Sequence, residues 1–151
     1  MMDAIEKLLA LDEIHQIKAR RCRCVDEKDW AGYAACHTPD AISYALSPPT
    51  VGAEAMAKQL QAQIANKTTV HHVHSPEIEF TSETTARGIW AMEDMLWWEE
   101  GDQQRWSHGY GHYHETYEKR DGRWLIASRK LRRIRVDQGV MSAPDVMRAE
   151  T

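Results

Sequence analysis

Residues 105–136, RWSHGYGHYHETYEKRDGRWLIASRKLRRIRV, set two long runs of aromatic, aliphatic and alternating polar residues on either side of Asp121-Gly122. Asp-Gly between two such runs is a strong signal for a two-residue hairpin, so the spacing predicts strands over Arg105–Lys119 and Arg123–Val136. The same character extends upstream to Thr68. It gives strands over Thr69–Phe80 and Thr85–Trp98, punctuated by Thr81-Ser82-Glu83 and Glu100-Gly101-Asp102. Earlier still the period changes. Leu8, Leu11, Ile14, Cys22 and Val25 lie at helical spacing and predict one long helix from Asp3 to Val25. Asp26–Asp29 is a charged corner, and Trp30–Cys36 a short helix stopped before Pro39. Ala41–Leu46 reads as a short strand and Ala53–Ala65 as a third helix. Helices first and long sequential strands afterwards define an α+β domain, with helices on one face of a curved antiparallel sheet. No repeat or linker divides residues 1–151, so one domain is expected, with 137–151 a loose C-terminal tail.

The composition narrows the function. Net charge is −4, and a nucleic-acid binder needs a basic face. The basic run Arg129–Arg135 is no such face, because Lys130 and Arg132 fall on the opposite row from Arg129, Arg133 and Arg135. Hydrophobic residues at 42% and charged residues at 28% match ordinary globular usage and exclude a membrane protein. Cys22, Cys24 and Cys36, with no signal peptide before them, suggest a reducing cytoplasm. Six Trp and five Tyr against one Phe over-supply rings with polar edges, the residues that line pockets for flat organic ligands.

Strand side chains alternate faces, and three otherwise apolar rows contain charged or titratable groups. Asp94 shares a row with Gly88, Trp90, Met92 and Leu96. Arg129 shares one with Leu125, Ala127 and Leu131, while His72 and His74 share one with Val70. A buried charge needs a partner or a wet cavity, and one polar-lined pocket would serve all three. Gly109 and Gly111 lie on the row of Tyr113 and leave space above the sheet beneath its phenol. A metal site through His72, His74, His108, His112 and His114 is geometrically open, but a carboxylate and an arginine in the same cavity suit proton transfer better, so neither metal nor cofactor is expected.

Cys24-Val25-Asp26, His74-Ser75-Pro76-Glu77-Ile78, residues 84–90 leading to Glu93-Asp94, and Tyr117–Trp124 before Arg129 together resemble the SnoaL-like branch of the NTF2-like superfamily. That family includes scytalone dehydratase, bile acid 7α-dehydratase and hexachlorocyclohexane dehydrochlorinase. The resemblance implies an α+β cone, a strongly curved, mixed, mainly antiparallel sheet closed by three helices. It also implies that His74 is a base, oriented by Asp26 or Asp94, and that Arg129 assists a leaving group or an anionic substrate. Tyr113 falls at an aromatic wall, beside Trp90 and Met92. Arg21 stands five residues before Asp26, where the bile acid dehydratase pattern has a tyrosine and the dehydrochlorinase a basic residue. Tyr44 lies one position from another dehydratase tyrosine.

The expected activity is therefore that of a cofactor-independent lyase of dehydratase or dehydrohalogenase type. It would take a carbon-bound proton from a small hydrophobic cyclic substrate. Isomerase or cyclase chemistry with the same base, and a non-catalytic ligand-binding or oligomerisation module, are the alternatives. Ile89, Ala91, Met95 and Trp97 form a second apolar row behind Asp94, too large a patch for a monomer to leave bare. A homodimer or homotrimer through that face is predicted, and sedimentation at micromolar concentration should give a multiple of the chain mass; a monomer would refute it.

Overall fold

The structure is a computed structural model that describes residues 2–141. The Asp3 carboxylate accepts from the Glu6 backbone N–H while Glu6 accepts from that of Asp3, a capping box that starts helix α1 (Ala4–Asp26). The expected inward stripe of α1 holds at Ile14, Cys22 and Val25. Leu8, however, is 66% exposed, and the stripe passes instead through Lys18 and Arg21. Helix α2 (Trp30–Ala35) follows, then strands β1 (His37–Ser43) and β2 (Thr50–Val51), then helix α3 (Ala53–Ile64).

Strand β1 begins four residues before the expected Ala41 and ends before Leu46. It is held by parallel pairing to the last strand, from His37 opposite Ile126 to Ser43 opposite Arg129. Pro39 sits where that register is irregular, a position that tolerates a residue without an N–H. It therefore interrupts a strand rather than ending a helix.

Four long strands complete the chain: β3 (Thr68–Phe80), β4 (Thr85–Glu100), β5 (Gln103–Arg120) and β6 (Arg123–Met141). The six form one mixed sheet in the order β2-β1-β6-β5-β4-β3, with β1/β6 its parallel pair. Asp121 and Gly122 both take positive φ, 51° and 77°, as the tight β5–β6 turn requires. Residues 137–141, expected in a loose tail, are strand instead. Strand β5 starts at Gln103 and pairs them, and Gly139, opposite Trp106, leaves room for the indole. The rest of that tail, 142–151, lies outside the described residues. Beyond Arg129, β6 runs on without β1 beside it.

Directly paired residues share a face, so Val73/Met92, His71/Asp94 and Trp90/Tyr113 define the inner row. Against it α1 packs Ile14 and Ile17 in a core with Tyr117, Trp124 and Ile126. A second cluster, around Tyr33, Met56 and Val25, joins α2 and α3 to the end of α1. On the outer row Ile89 is exposed, while Ala91, Met95 and Trp97 are half-buried by their neighbours. No described helix is long and apolar enough to cross a membrane.

The core also contains an ion pair. Lys18 Nζ lies 2.5 Å from Glu115 Oε1, with both side chains wholly shielded from solvent. Tyr117 donates its hydroxyl hydrogen to Glu115 Oε2 at 2.6 Å and accepts from the Trp90 indole N–H at 2.7 Å. Burial pulls the Lys18 ammonium down to about 8 against the opposing pull of Glu115. Burial would raise the Glu115 carboxyl, but Lys18 outweighs it and holds it below its ordinary value. Both groups are therefore charged at neutral pH. Removing one partner of such a pair strands the other, at a cost of about 3–5 kcal/mol. Lys18→Met should lose stability on that scale in chemical denaturation, and Lys18→Met combined with Glu115→Leu should recover much of it. A single variant within 1 kcal/mol of the parent protein, roughly the range of an ordinary surface change, would show the pair to be solvated in solution.

Candidate functional site

Asp26, the last residue of α1, meets the free edge strand β3. Its Oδ1 lies 2.7 Å from His71 Nδ1 and accepts from the Thr69 hydroxyl at 2.9 Å, and its Oδ2 accepts from the His71 backbone N–H at 2.9 Å. Lys28 Nζ donates to the same Thr69 hydroxyl at 2.9 Å. Burial would raise the Asp26 carboxyl, but the hydrogen bonds from His71 and Thr69 outweigh it and keep it below the ordinary carboxylate value. An ionised carboxylate only accepts, so His71 Nδ1 carries the hydrogen and Nε2 holds the free lone pair. Burial lowers the His71 pKa more than Asp26 and Asp94 raise it, with Arg21 adding to the lowering. The ring is a neutral base at pH 7. The pair opens on a groove of about 490 Å³ between α1 and β3, lined by Ala19, Cys22, Val73 and their neighbours.

His74 occupies a different position from the one its row predicts. It is more than half exposed at the rim of this groove, and its Nε2 lies 3.6 Å from Glu93, which faces outward. His72 and His108 flank the same carboxylate, at 3.5 and 2.9 Å. The physical reason is parity. Val73 pairs with Met92 and Pro76 with Trp90, so one extra residue is bulged out around His74-Ser75, and the inward imidazole is the odd-numbered His71. The expectation that His74 points into one cavity with Asp26, Asp94 and Arg129 is corrected accordingly.

Asp94 does face inward, but its partner is Arg133, which grips it through Nη1 at 2.8 Å and Nη2 at 2.6 Å. The bridge crosses β5 above Gly109, where a Cβ would strike both groups. Asp94 is thus engaged elsewhere, and Asp26 alone orients the imidazole. Tyr44 is displaced outward: it is 46% exposed and lines an outer groove of about 680 Å³ with Glu77, Arg87, His114 and Lys130. Trp90 and Met92 are buried in the inner row, as their spacing predicts.

Tyr113, buried on the inner row, is the centre of a separate cluster of cations. Lys18 Nζ lies 3.8 Å from its ring centroid, and the guanidinium carbons of Arg129 and Arg21 lie 5.0 and 5.4 Å away. Lys18 is paired, but Arg21 Nε and Nη1 and Arg129 Nε are buried without a hydrogen-bond partner. Unpaired buried donors of this kind are costly, and the two arginines that carry them both stand against the Tyr113 ring and make its surroundings strongly positive. Burial raises the Tyr113 phenol, which keeps its proton. Among the described residues, no three His, Cys, Asp or Glu side chains are placed to hold a metal ion.

His71, Lys18, Glu115 and Arg133 are not singled out by the sequence patterns. Consecutive His71 and His72 necessarily send one ring to each face, a signal available without structure. Nothing local announces the bulge that decides which of the later histidines follows.

Comparison with known proteins agrees with this architecture. The SnoaL-like domain matches residues 6–130. A crystal structure of a putative scytalone dehydratase from Novosphingobium aromaticivorans superposes with a TM-score of 0.81 at 24% identity, covering 98% of this chain and 100% of that one. Hexachlorocyclohexane dehydrochlorinase LinA-type3 from Novosphingobium barchaimii gives 0.78 at 18% identity, covering 97% and 100%. These similarities are to the fold. A capped helix ending in Asp26, packed on a six-stranded mixed sheet with one parallel pair, and a domain match spanning most of the chain place this protein in the SnoaL-like family of NTF2-like proteins.

Proposed function

We propose that the protein is a cofactor-independent lyase in which His71 is the base and Asp26 orients it. The observation that carries this reading is the Asp26–His71 contact, which fixes the tautomer of a neutral imidazole that is 9% exposed and lines a groove. The similarity to a putative scytalone dehydratase and to a dehydrochlorinase supports the same class. A small hydrophobic cyclic substrate lies against Val73, Cys22 and Ala19 with an acidic C–H at His71. The C–H bond breaks to Nε2, its electron pair becomes the new C=C bond, and the neighbouring bond to the leaving group breaks. The imidazolium is stabilised by Asp26, and charge on the leaving group by the unpaired N–H groups of Arg21 and Arg129. Where the leaving group is hydroxyl, the proton held by His71 leaves with it as water.

The test is a screen of hydroxylated and halogenated alicyclic and aromatic compounds, followed by variants on the best substrate. His71→Ala should lower kcat by roughly 10²–10⁴-fold, the usual contribution of a general base, while His74→Ala should stay within about twofold, the scale expected of a surface change. The reverse pattern would sink the assignment.

The pH dependence has a definite sign. Only neutral His71 accepts a proton, so kcat/KM should fall as pH drops through the free-enzyme His71 pKa. Burial sets that limb below the ordinary imidazole value of 6.5. Asp26 raises this pKa, so Asp26→Asn should move the limb to still lower pH while reducing kcat. An acid limb above 6.5, or one unmoved in Asp26→Asn, would contradict the dyad.

A further inference from the structure

His37, at the start of β1, belongs to neither the ion pair nor the base. Its Nδ1 lies 2.7 Å from the Tyr33 backbone carbonyl, an acceptor only, so Nδ1 carries a hydrogen. The ring is 3% exposed and rests on the Tyr33 ring at 4.6 Å between centroids. Arg21 lies on the same Tyr33 ring at 5.2 Å. Burial and then the charge of Arg21, with Arg129 acting the same way, push the imidazole down to about 3. Nε2 is therefore a bare acceptor, and it is buried without a partner, as are Arg21 Nε, Arg21 Nη1 and Arg129 Nε. A halide or a carboxylate answers the donors and leaves the acceptor stranded. A hydroxyl answers both, since its oxygen accepts and its hydrogen donates.

We propose that His37 is a specificity-determining residue that, with Arg21 and Arg129, selects a substrate bearing a neutral hydroxyl over one bearing a halogen at the same position. This rests on the function proposed above, in which Arg21 and Arg129 receive the leaving group, but it concerns binding and not the proton transfer. His37 Nε2 takes the hydroxyl hydrogen, the arginine N–H groups point at the oxygen, and the Tyr33 carbonyl fixes the tautomer that makes this possible.

Phenol and chlorobenzene are a matched pair of probes, with binding followed by ¹⁵N NMR of the His37 ring and by Trp fluorescence. Phenol should move the Nε2 resonance toward the hydrogen-bonded range, and chlorobenzene should not. His37→Asn keeps a donor near the Nδ1 position and removes the distal acceptor. It should weaken phenol about tenfold, the scale of one buried hydrogen bond, and leave chlorobenzene within about twofold. His37→Gln, whose amide reaches the distal position, should restore part of the phenol affinity. Equal losses for both probes in His37→Asn would make the residue structural and overturn the inference. An Nε2 already hydrogen-bonded in the free protein and indifferent to phenol would mean an ordered water only, and would overturn it equally. The pair repeated in His71→Ala separates the two proposals. Discrimination surviving there supports the His37 assignment whatever His71 does to turnover, and its dependence on His71 would defeat that assignment.

Discussion

Lys18 and Glu115 meet where α1 crosses the long hairpin, and that contact fixes the site's frame. A lysine in the middle of an amphipathic helix would normally extend its amine to water. Here the amine is held at full burial by a carboxylate that Tyr117 and Trp90 hold in turn. The chain of four polar groups runs from helix to sheet and sets how far α1 is rotated about its own axis. One turn later the same rotation turns Arg21 toward Tyr113, and at the helix end it brings Asp26 to the edge of β3. The ion pair costs desolvation, and a hydrophobic replacement could match or exceed it in stability. Its contribution in this fold is orientation.

The buried charges are also unevenly distributed. Around Tyr113 stand Lys18, Arg21 and Arg129, of which Lys18 is neutralised by Glu115. Asp94 is claimed by Arg133. The field at the ring is left positive, and it acts on everything nearby: it adds to the lowering of His71 and His37 and opposes the effect of burial on the Tyr113 phenol. A region that keeps imidazoles neutral and presents unpaired N–H groups is prepared for a base and for a partner with oxygen acceptors. Both features follow from placing cations on the inner stripe of one helix and the inner row of one strand.

Much of this architecture is legible in the residues. The Asp121-Gly122 turn, the three helices and the four long strands lie within a few residues of their observed limits, because period and turn chemistry are local properties. Asp94, Arg129, Tyr113, Trp90 and Met92 are singled out as members of rows and are buried in the structure, while Asp26, at the helix end, is singled out by the resemblance alone. The failures are failures of parity and partnership. Counting by twos along β3 selects His74, and a single bulged residue transfers the inward role to His71. A second bulge, between Thr116 and Tyr117 in the β5–β6 ladder, breaks the row assumed to join Leu125 to Arg129. Lys18 and Arg21 hide in plain view, since hydropathy assigns a charged residue on a helix to solvent, and only the distant Glu115 and Tyr113 make inward placement tolerable.

The outward-facing cations of the basic run on β6 have a physical use unconnected with any ligand. Past Arg129 the last strand has β5 on one side and, among the described residues, no strand on the other, which leaves a row of backbone N–H and C=O groups unpaired by them. Such an open border invites sheet-to-sheet stacking between molecules in a crowded solution. Lys130, Arg132 and Arg135 stand exposed along it, among the apolar Ile134 and Val136. Two copies approaching edge to edge bring these cations together, and the repulsion works against an association that the aliphatic side chains would otherwise favour. Lys130, Arg132 and Arg135 guard this border, whereas Arg129 and Arg133 of the same run turn inward, to Tyr113 and to Asp94, and a neutralising substitution acts on solubility at the first three and on the interior at the other two.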